Sequence, residues 1–145
     1  MTVRQILKSK AQGAVLTIKP DAMVHEAAKL LSDKRIGALI VSKDGKGLDG
    51  MLSERDIVRE LGARGVGIME ERVAELMTAK VVTAAPGDTA VQVLEKMTQG
   101  RFRHLPVLED GQMIGVVSIG DAVKHRIEEI EAENTALTDM IVGHG

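Results

Sequence analysis

Apolar residues along this chain fall in two kinds of order, and the sequence of those orders comes twice. Val15-Leu16-Thr17-Ile18 is a β-prone run ending before Pro20, and it predicts a strand. Val24, Ala27, Ala28 and Leu31 then fall at i, i+3, i+4 and i+7, the stripe of an amphipathic helix. Ala38-Leu39-Ile40-Val41 is a continuous apolar run of the kind a buried strand carries. Asp44-Gly45 marks a tight turn, and Leu48 to Leu52 predicts a third strand. A second helix begins at Ser53. The order then returns: Val81-Val82-Thr83 before Pro86, then Ala90, Val93, Leu94 and Met97 on one helical face. Leu105-Pro106-Val107-Leu108, the turn Asp110-Gly111, Met113 to Val117 and a helix from Ser118 complete it. The pattern predicts an α/β (α+β) fold of two β-α-β-β-α units.

The two orders are copies at the level of residues as well. At an offset of 66, Thr17 meets Thr83, Pro20 meets Pro86, Arg35 meets Arg101, Leu39 meets Leu105 and Val41 meets Val107. One deletion makes the offset 65, and Gly50, Ser53 and Asp56 meet Gly115, Ser118 and Asp121. Residues 1–66 form the first unit with a short helix at Val3 to Leu7. Residues 67–132 form the second, introduced by a short helix at Met69 to Met77, with Gly62, Gly65 and Gly67 as a linker. Each unit is too small to bury much core alone, so the copies are expected to pack on one another. Residues 133–145 extend the last helix and form the tail.

That last helix has its own period. Val123, Ile127, Ile130, Asn134, Leu137 and Ile141 are spaced 4, 3, 4, 3, 4, a heptad seam with Asn134 inside it. Two readings stand: an amphipathic helix folded onto its own body, or a contact with a second copy of the chain.

Composition narrows the chemistry. Phe102 is the single aromatic residue among 145, so base stacking on exposed rings and aromatic cages are excluded as modes of action. Zero Cys removes disulfides, thiolate catalysis and Cys-ligated metals. A net charge of −2 with interspersed signs offers no general basic field for nucleic acid. The N-terminus lacks a signal peptide's apolar core, and no run is long enough to span a bilayer, so a soluble cytoplasmic protein is expected.

Each copy closes on the same motif, Gly50-Met51-Leu52-Ser53-Glu54-Arg55-Asp56 and Gly115-Val116-Val117-Ser118-Ile119-Gly120-Asp121. Ser followed three residues later by an acid is a helix-capping pattern. The same constellation also suits a nucleotide: the helix N-terminus favours an anion, Ser donates to phosphate, and Asp accepts from a ribose diol. Arg101-Phe102-Arg103-His104 reads either as a solvated basic loop or as a phosphate-capturing segment. His25, His104, His125 and His144 show no close metal spacing, and Ser53 and Ser118 have no evident base, so no catalytic constellation is visible.

Taken together, the repeated unit, the Leu105-Pro106-Val107 strand, the Asp-Gly turns and the two Gly-h-h-Ser-x-x-Asp endings resemble a tandem cystathionine-β-synthase (CBS) domain pair, or Bateman module, over residues 1 to about 130. The resemblance implies two units packed sheet to sheet about a pseudo-two-fold axis, with two clefts for adenosine ligands such as AMP, ATP, NAD(H) or S-adenosylmethionine. It implies that Asp56 and Asp121 each hold a ribose, that Ser53 and Ser118 stand near phosphate, and that Arg103 and His104 reach phosphates. It assigns Gly13, Val15, Ile36 and Ala38 to the cleft of Asp121, and Thr78, Val81 and Phe102 to that of Asp56. The first copy departs from the family pattern. Leu39-Ile40-Val41 replaces Leu-Pro-Val, Gly37-Ala38 replaces the basic pair, and Arg55 stands where the second copy has Gly120. The expectation is a non-enzymatic adenine-nucleotide sensor, a homodimer with a protein effector. The alternative is a structural adaptor in which the Ser and Asp residues only cap helices.

Overall fold

The computed structural model describes residues 1–10 and 15–141. Gly13 and His144 lie outside the described residues. The first unit contains β1 (Thr17–Ile18), α2 (Val24–Lys34), β2 (Ala38–Val41), β3 (Gly50–Ser53) and α3 (Glu54–Arg64). The second contains α5 (Ala90–Gly100), β4 (His104–Glu109), β5 (Gln112–Ser118) and α6 (Ile119–Ile141). Helices α1 (Val3–Ser9) and α4 (Val73–Leu76) each precede one of these sets. In the first sheet β1 runs parallel to β2, and β2 pairs antiparallel with β3 in the register Leu39↔Leu52. In the second, β4 pairs antiparallel with β5 in the register Leu105↔Val117.

The strand expected at Val81 to Thr83 does not form. Only Ala84 bridges to Val107, in parallel, through Ala84 N–H to Pro106 O at 2.9 Å and Leu108 N–H to Ala84 O at 3.0 Å. Proline explains the truncation. A bridge equivalent to Thr17↔Ile40 requires an N–H at position 106, and Pro106 has none. The carbonyl of Thr83 accepts from Lys96 Nζ at 2.9 Å. The strand expected at Val15 to Ile18 is likewise shortened, to its last two residues.

The helix expected at Met69 to Met77 is broken into a 3₁₀ turn, Val66–Glu70, and α4. Glu71 and Arg72 are extended between them, because Glu71 O accepts from Val24 N–H at 2.9 Å and Arg72 bridges to Met23. Gly62 lies inside α3 rather than in a linker. Gly65 ends that helix at φ +85°, a conformation suited to glycine.

Packing crosses the chain order. Val3 and Ile6 of α1 are fully buried in the second unit's core, with Ala90, Val93, Met97, Leu105, Val107 and Val117. Val73 and Leu76 of α4 join the first unit's core, with Val24, Leu31, Leu39, Val41, Leu52 and Ile57. The backbone contacts repeat in parallel: Val3 N–H donates to Asp88 O and Arg4 N–H to Pro86 O, while Val73 N–H donates to Ala22 O and Ala74 N–H to Pro20 O. Each fully buried aliphatic side chain contributes roughly 1.5–3 kcal/mol, so each helix is a substantial part of the unit it joins.

Among the described residues no helix is long and apolar enough to cross a membrane.

Candidate functional site

Sequence places a Ser at the end of β3 and of β5, and the strand must stop there because the Ser side chain competes for the next helix's N–H groups. Ser53 Oγ accepts from Asp56 N–H at 3.2 Å, and Ser53 N–H donates to Asp56 Oδ2 at 2.9 Å. Ser118 Oγ accepts from Asp121 N–H at 3.1 Å, and Ser118 N–H donates to Asp121 Oδ2 at 2.9 Å. Both motifs are therefore reciprocal capping boxes. A carboxylate offers about four lone-pair positions, so the cap alone does not exhaust either Asp. Both helix starts are also tied to the strand entry of their own unit, Glu54 N–H to Gly37 O at 3.0 Å and Ile119 N–H to Arg103 O at 2.8 Å.

Two cavities open at these helix starts. The larger, of about 820 Å³, is lined by Ser53, Arg55 and Asp56 from the first unit and by Thr78, Val81, Phe102, Arg103 and His104 from the second half of the chain. Every residue assigned to the Asp56 cleft meets there. Arg59 and Arg101 also line it, so four arginines border one cavity together with Glu54 and Asp56. Asp56 is mostly buried, and its Oδ1 accepts from Arg59 Nη2 at 3.0 Å, one turn along the same helix.

The smaller cavity, of about 400 Å³, is lined by Val15, Ile36, Ala38 and Ser118, all assigned to the Asp121 cleft, together with Lys10, Leu16, Arg35, Met51 and His104. Asp121 is not in its lining but is joined to it through Ser118 and Lys10. Lys10 Nζ donates to Asp121 Oδ2 at 2.6 Å and to Val116 O at 3.0 Å. Burial pushes the Asp121 carboxyl up, but the Lys10 ammonium and the Ser118 hydrogen bonds outweigh it and hold the group below its ordinary 3.8. Sequence reasoning missed Lys10. It lies 111 positions from its partner, and no local pattern signals that pairing.

His104 lines both cavities and stands between them. Burial, then the neighbouring Lys10 ammonium, lower its pKa below 6.5, so the imidazole is neutral at pH 7. Gly37 is the near neighbour: a side chain there would begin 3.2 Å from His104 Cε1 and 3.1 Å from Glu54 Oε1. The first copy's departure from a basic pair thus makes room for the second copy's His. Arg35 and Arg101, the equivalent C-caps of α2 and α5, both adopt positive φ, 53° and 58°; Arg35 lines the smaller cavity and Arg101 the larger.

The CBS-domain family model matches residues 3–63 and 73–128. The chain belongs to the CBS-domain family. It is 35% identical, over 98% of its length and 72% of the relative's, to the mitochondrial CBS domain-containing protein CBSX3 of Arabidopsis thaliana. Several other Arabidopsis relatives, 30–32% identical, are matched over only 23–26% of their own lengths. Among solved structures, a CBS-domain protein of Burkholderia ambifaria, described as a putative signal-transduction protein, superimposes with a TM-score of 0.82 at 41% identity, covering 88% of this chain and 95% of that one. The fold is also shared with PAE2072 of Pyrobaculum aerophilum, solved with AMP (TM-score 0.71, 23% identity, 83% and 89% covered). It is shared too with the CBS pair of MJ0100, solved with 5-methylthioadenosine and S-adenosyl-L-methionine (TM-score 0.76, 23% identity, 89% and 98% covered).

Proposed function

For a chain of this family, we propose a regulatory module that binds adenine nucleotides of the AMP, ATP or NAD(H) type in its two clefts. The carrying observation is a capped helix start at the wall of each of two cavities, with Asp56 in the lining of the larger, Asp121 joined to the smaller through Ser118 and Lys10, and basic residues lining both. The Asp carboxylate accepts from the ribose hydroxyls, and Ser with the helix N–H groups holds phosphate. With no ring except Phe102, adenine is gripped by aliphatic side chains such as Val15, Ile36 and Val81 and by backbone groups. The two related folds solved with adenosine ligands support this class of ligand.

The clefts differ in charge. The four arginines that line the Asp56 cavity suit a ligand with more phosphate, and the smaller cavity beside Asp121 suits a monophosphate. The module works as a homodimer and signals to a protein effector. A ligand shifts it between two packings only as far as it binds one of them better. Titration calorimetry with AMP, ATP and NADH on the wild type and on Asp121→Ala tests the reading. Binding that Asp121→Ala weakens supports it, and no binding of any of the three at millimolar ligand overturns it.

A second reading is a structural adaptor, favoured by the completeness of both capping boxes without a ligand. It predicts that Asp56→Ala/Asp121→Ala loses stability and has no ligand phenotype.

A further inference from the structure

The body of the molecule covers one side of helix α6 and leaves the apolar flank beside it half open. Ala122 and His125 are buried, and Arg126 and Glu129 are half-buried, all on the side that meets the molecule. The seam lies on the flank of that side, roughly 110° round the helix. Val123, Ile127 and Ile130 are 41%, 50% and 40% exposed, and Leu137 and Ile141 are 56% and 76% exposed. Every residue from Glu131 to Ile141 is exposed. Folding onto its own body therefore accounts for only part of the seam: the body half-covers Val123, Ile127 and Ile130, and from Glu131 the helix projects beyond it.

We propose that this seam is an interface with a second copy of the chain, formed as a parallel, in-register two-stranded coiled coil from Val123 to Ile141. It deepens the homodimer part of the function proposed above by naming the contact, and it is independent of which nucleotide binds. The occupant follows from the seam itself. In register, Val123, Ile127, Ile130, Leu137 and Ile141 each meet their own equivalent, and Asn134 meets Asn134 at the position where paired Asn fixes two strands and their register. The flanking charges agree. Arg126 lies beside Glu131 of the other helix, and Glu133 beside Thr138, so no like charges meet across the seam. An antiparallel pair of similar overlap sets Glu131 against Glu131, Glu133 against Glu133, and Asn134 against Ile130. Charge and the single polar layer thus both select the parallel arrangement. The seam is about 28 Å long, short for an isolated coil, so the dimer is concentration-dependent.

Sedimentation equilibrium of the full chain is the test, with single Cys variants, which are clean because the chain has no Cys of its own. The wild type should associate to a dimer. Ile130→Glu/Leu137→Glu should weaken association roughly tenfold or more while leaving the thermal transition in place, since both residues are exposed. Asn134→Cys should oxidise to a covalent dimer, and Ala132→Cys, on the outer face, should not. A monomer at all concentrations up to about 0.1 mM overturns the proposal. So does equal cross-linking at 132 and 134. A dimer that the double Glu variant leaves intact also overturns it, while sparing the homodimer and the nucleotide reading.

Discussion

The cleft at Asp56 and the cleft at Asp121 are built from one repeat, yet their carboxylates are held by different means. Asp56 is paired with Arg59, three residues away on the same helix and largely exposed. Asp121 is paired with Lys10, brought from the end of α1 because that helix packs into the second unit. The repeat dictates a capped helix start with an acid in the first turn. What faces the acid depends on which distant segment the packing delivers. One cleft became a wide cavity with its acid in the lining and four arginines around the wall, and the other a narrower cavity whose acid is held behind the lining by Lys10.

The widest test of this difference is to remove one carboxylate at a time. Each charge-assisted hydrogen bond contributes about 1.5–3 kcal/mol, so losing both bonds to a ribose lowers affinity by about a hundredfold or more. Asp121→Ala should remove one site from a two-site calorimetric isotherm, and Asp56→Ala the other. If either variant abolishes both sites, the clefts are not independent and the comparison breaks.

A smaller effect separates the two ion pairs. Lys10→Met should cost about 1 kcal/mol in urea unfolding at pH 7, because both partners are mostly shielded. Arg59→Met should cost less than about 0.5 kcal/mol, since the Arg59 side chain is 63% exposed. The sign with pH follows from the depressed Asp121 pKa. Its stabilisation is present above the unfolded value of 3.8 and is lost as pH falls through the lower folded value. The difference between wild type and Lys10→Met should therefore shrink towards zero in strong acid. A gap that persists there would assign Lys10 a packing role instead.

The smallest expected effect concerns the residue the clefts share. His104 is lowered below 6.5 in the folded state, so the unfolded chain takes up its proton first. Stability contributed at this position declines as pH drops through 6.5 and levels off below the folded value. A bound phosphate favours the imidazolium, so affinity for a phosphorylated ligand should rise a few-fold between pH 7.5 and pH 6. His104→Gln should flatten both profiles, in chemical denaturation and in calorimetry. An unchanged affinity profile would place the phosphate away from His104.

Much of the architecture was legible because it is local. Periodicity marked α2, α5 and the strands β2 to β5, and Ser at a strand's end marked α3 and α6. The strand at Val81 to Thr83 misread because β-propensity ignores the partner strand, where Pro106 withholds the needed donor. The helix at Met69 to Met77 misread because residues 71 and 72 are claimed by the start of α2. In the site, the meeting of Thr78, Val81 and Phe102 with Ser53, Arg55 and Asp56 was anticipated by resemblance to a paired fold. Lys10 and Arg59 were not, since neither belongs to the repeated motif.

By itself the sequence determined the repeat, the capped helix starts with their acids, the aliphatic core and the heptad seam. These rest on interactions between residues a few positions apart, which spacing records directly. Tertiary structure alone decided the crossing of α1 and α4 into opposite units, the pairing of Lys10 with Asp121, the placement of His104 between two cavities, and the exposure of the seam. Those depend on which surfaces meet after the chain has folded, and residues far apart in sequence carry no local signal of it.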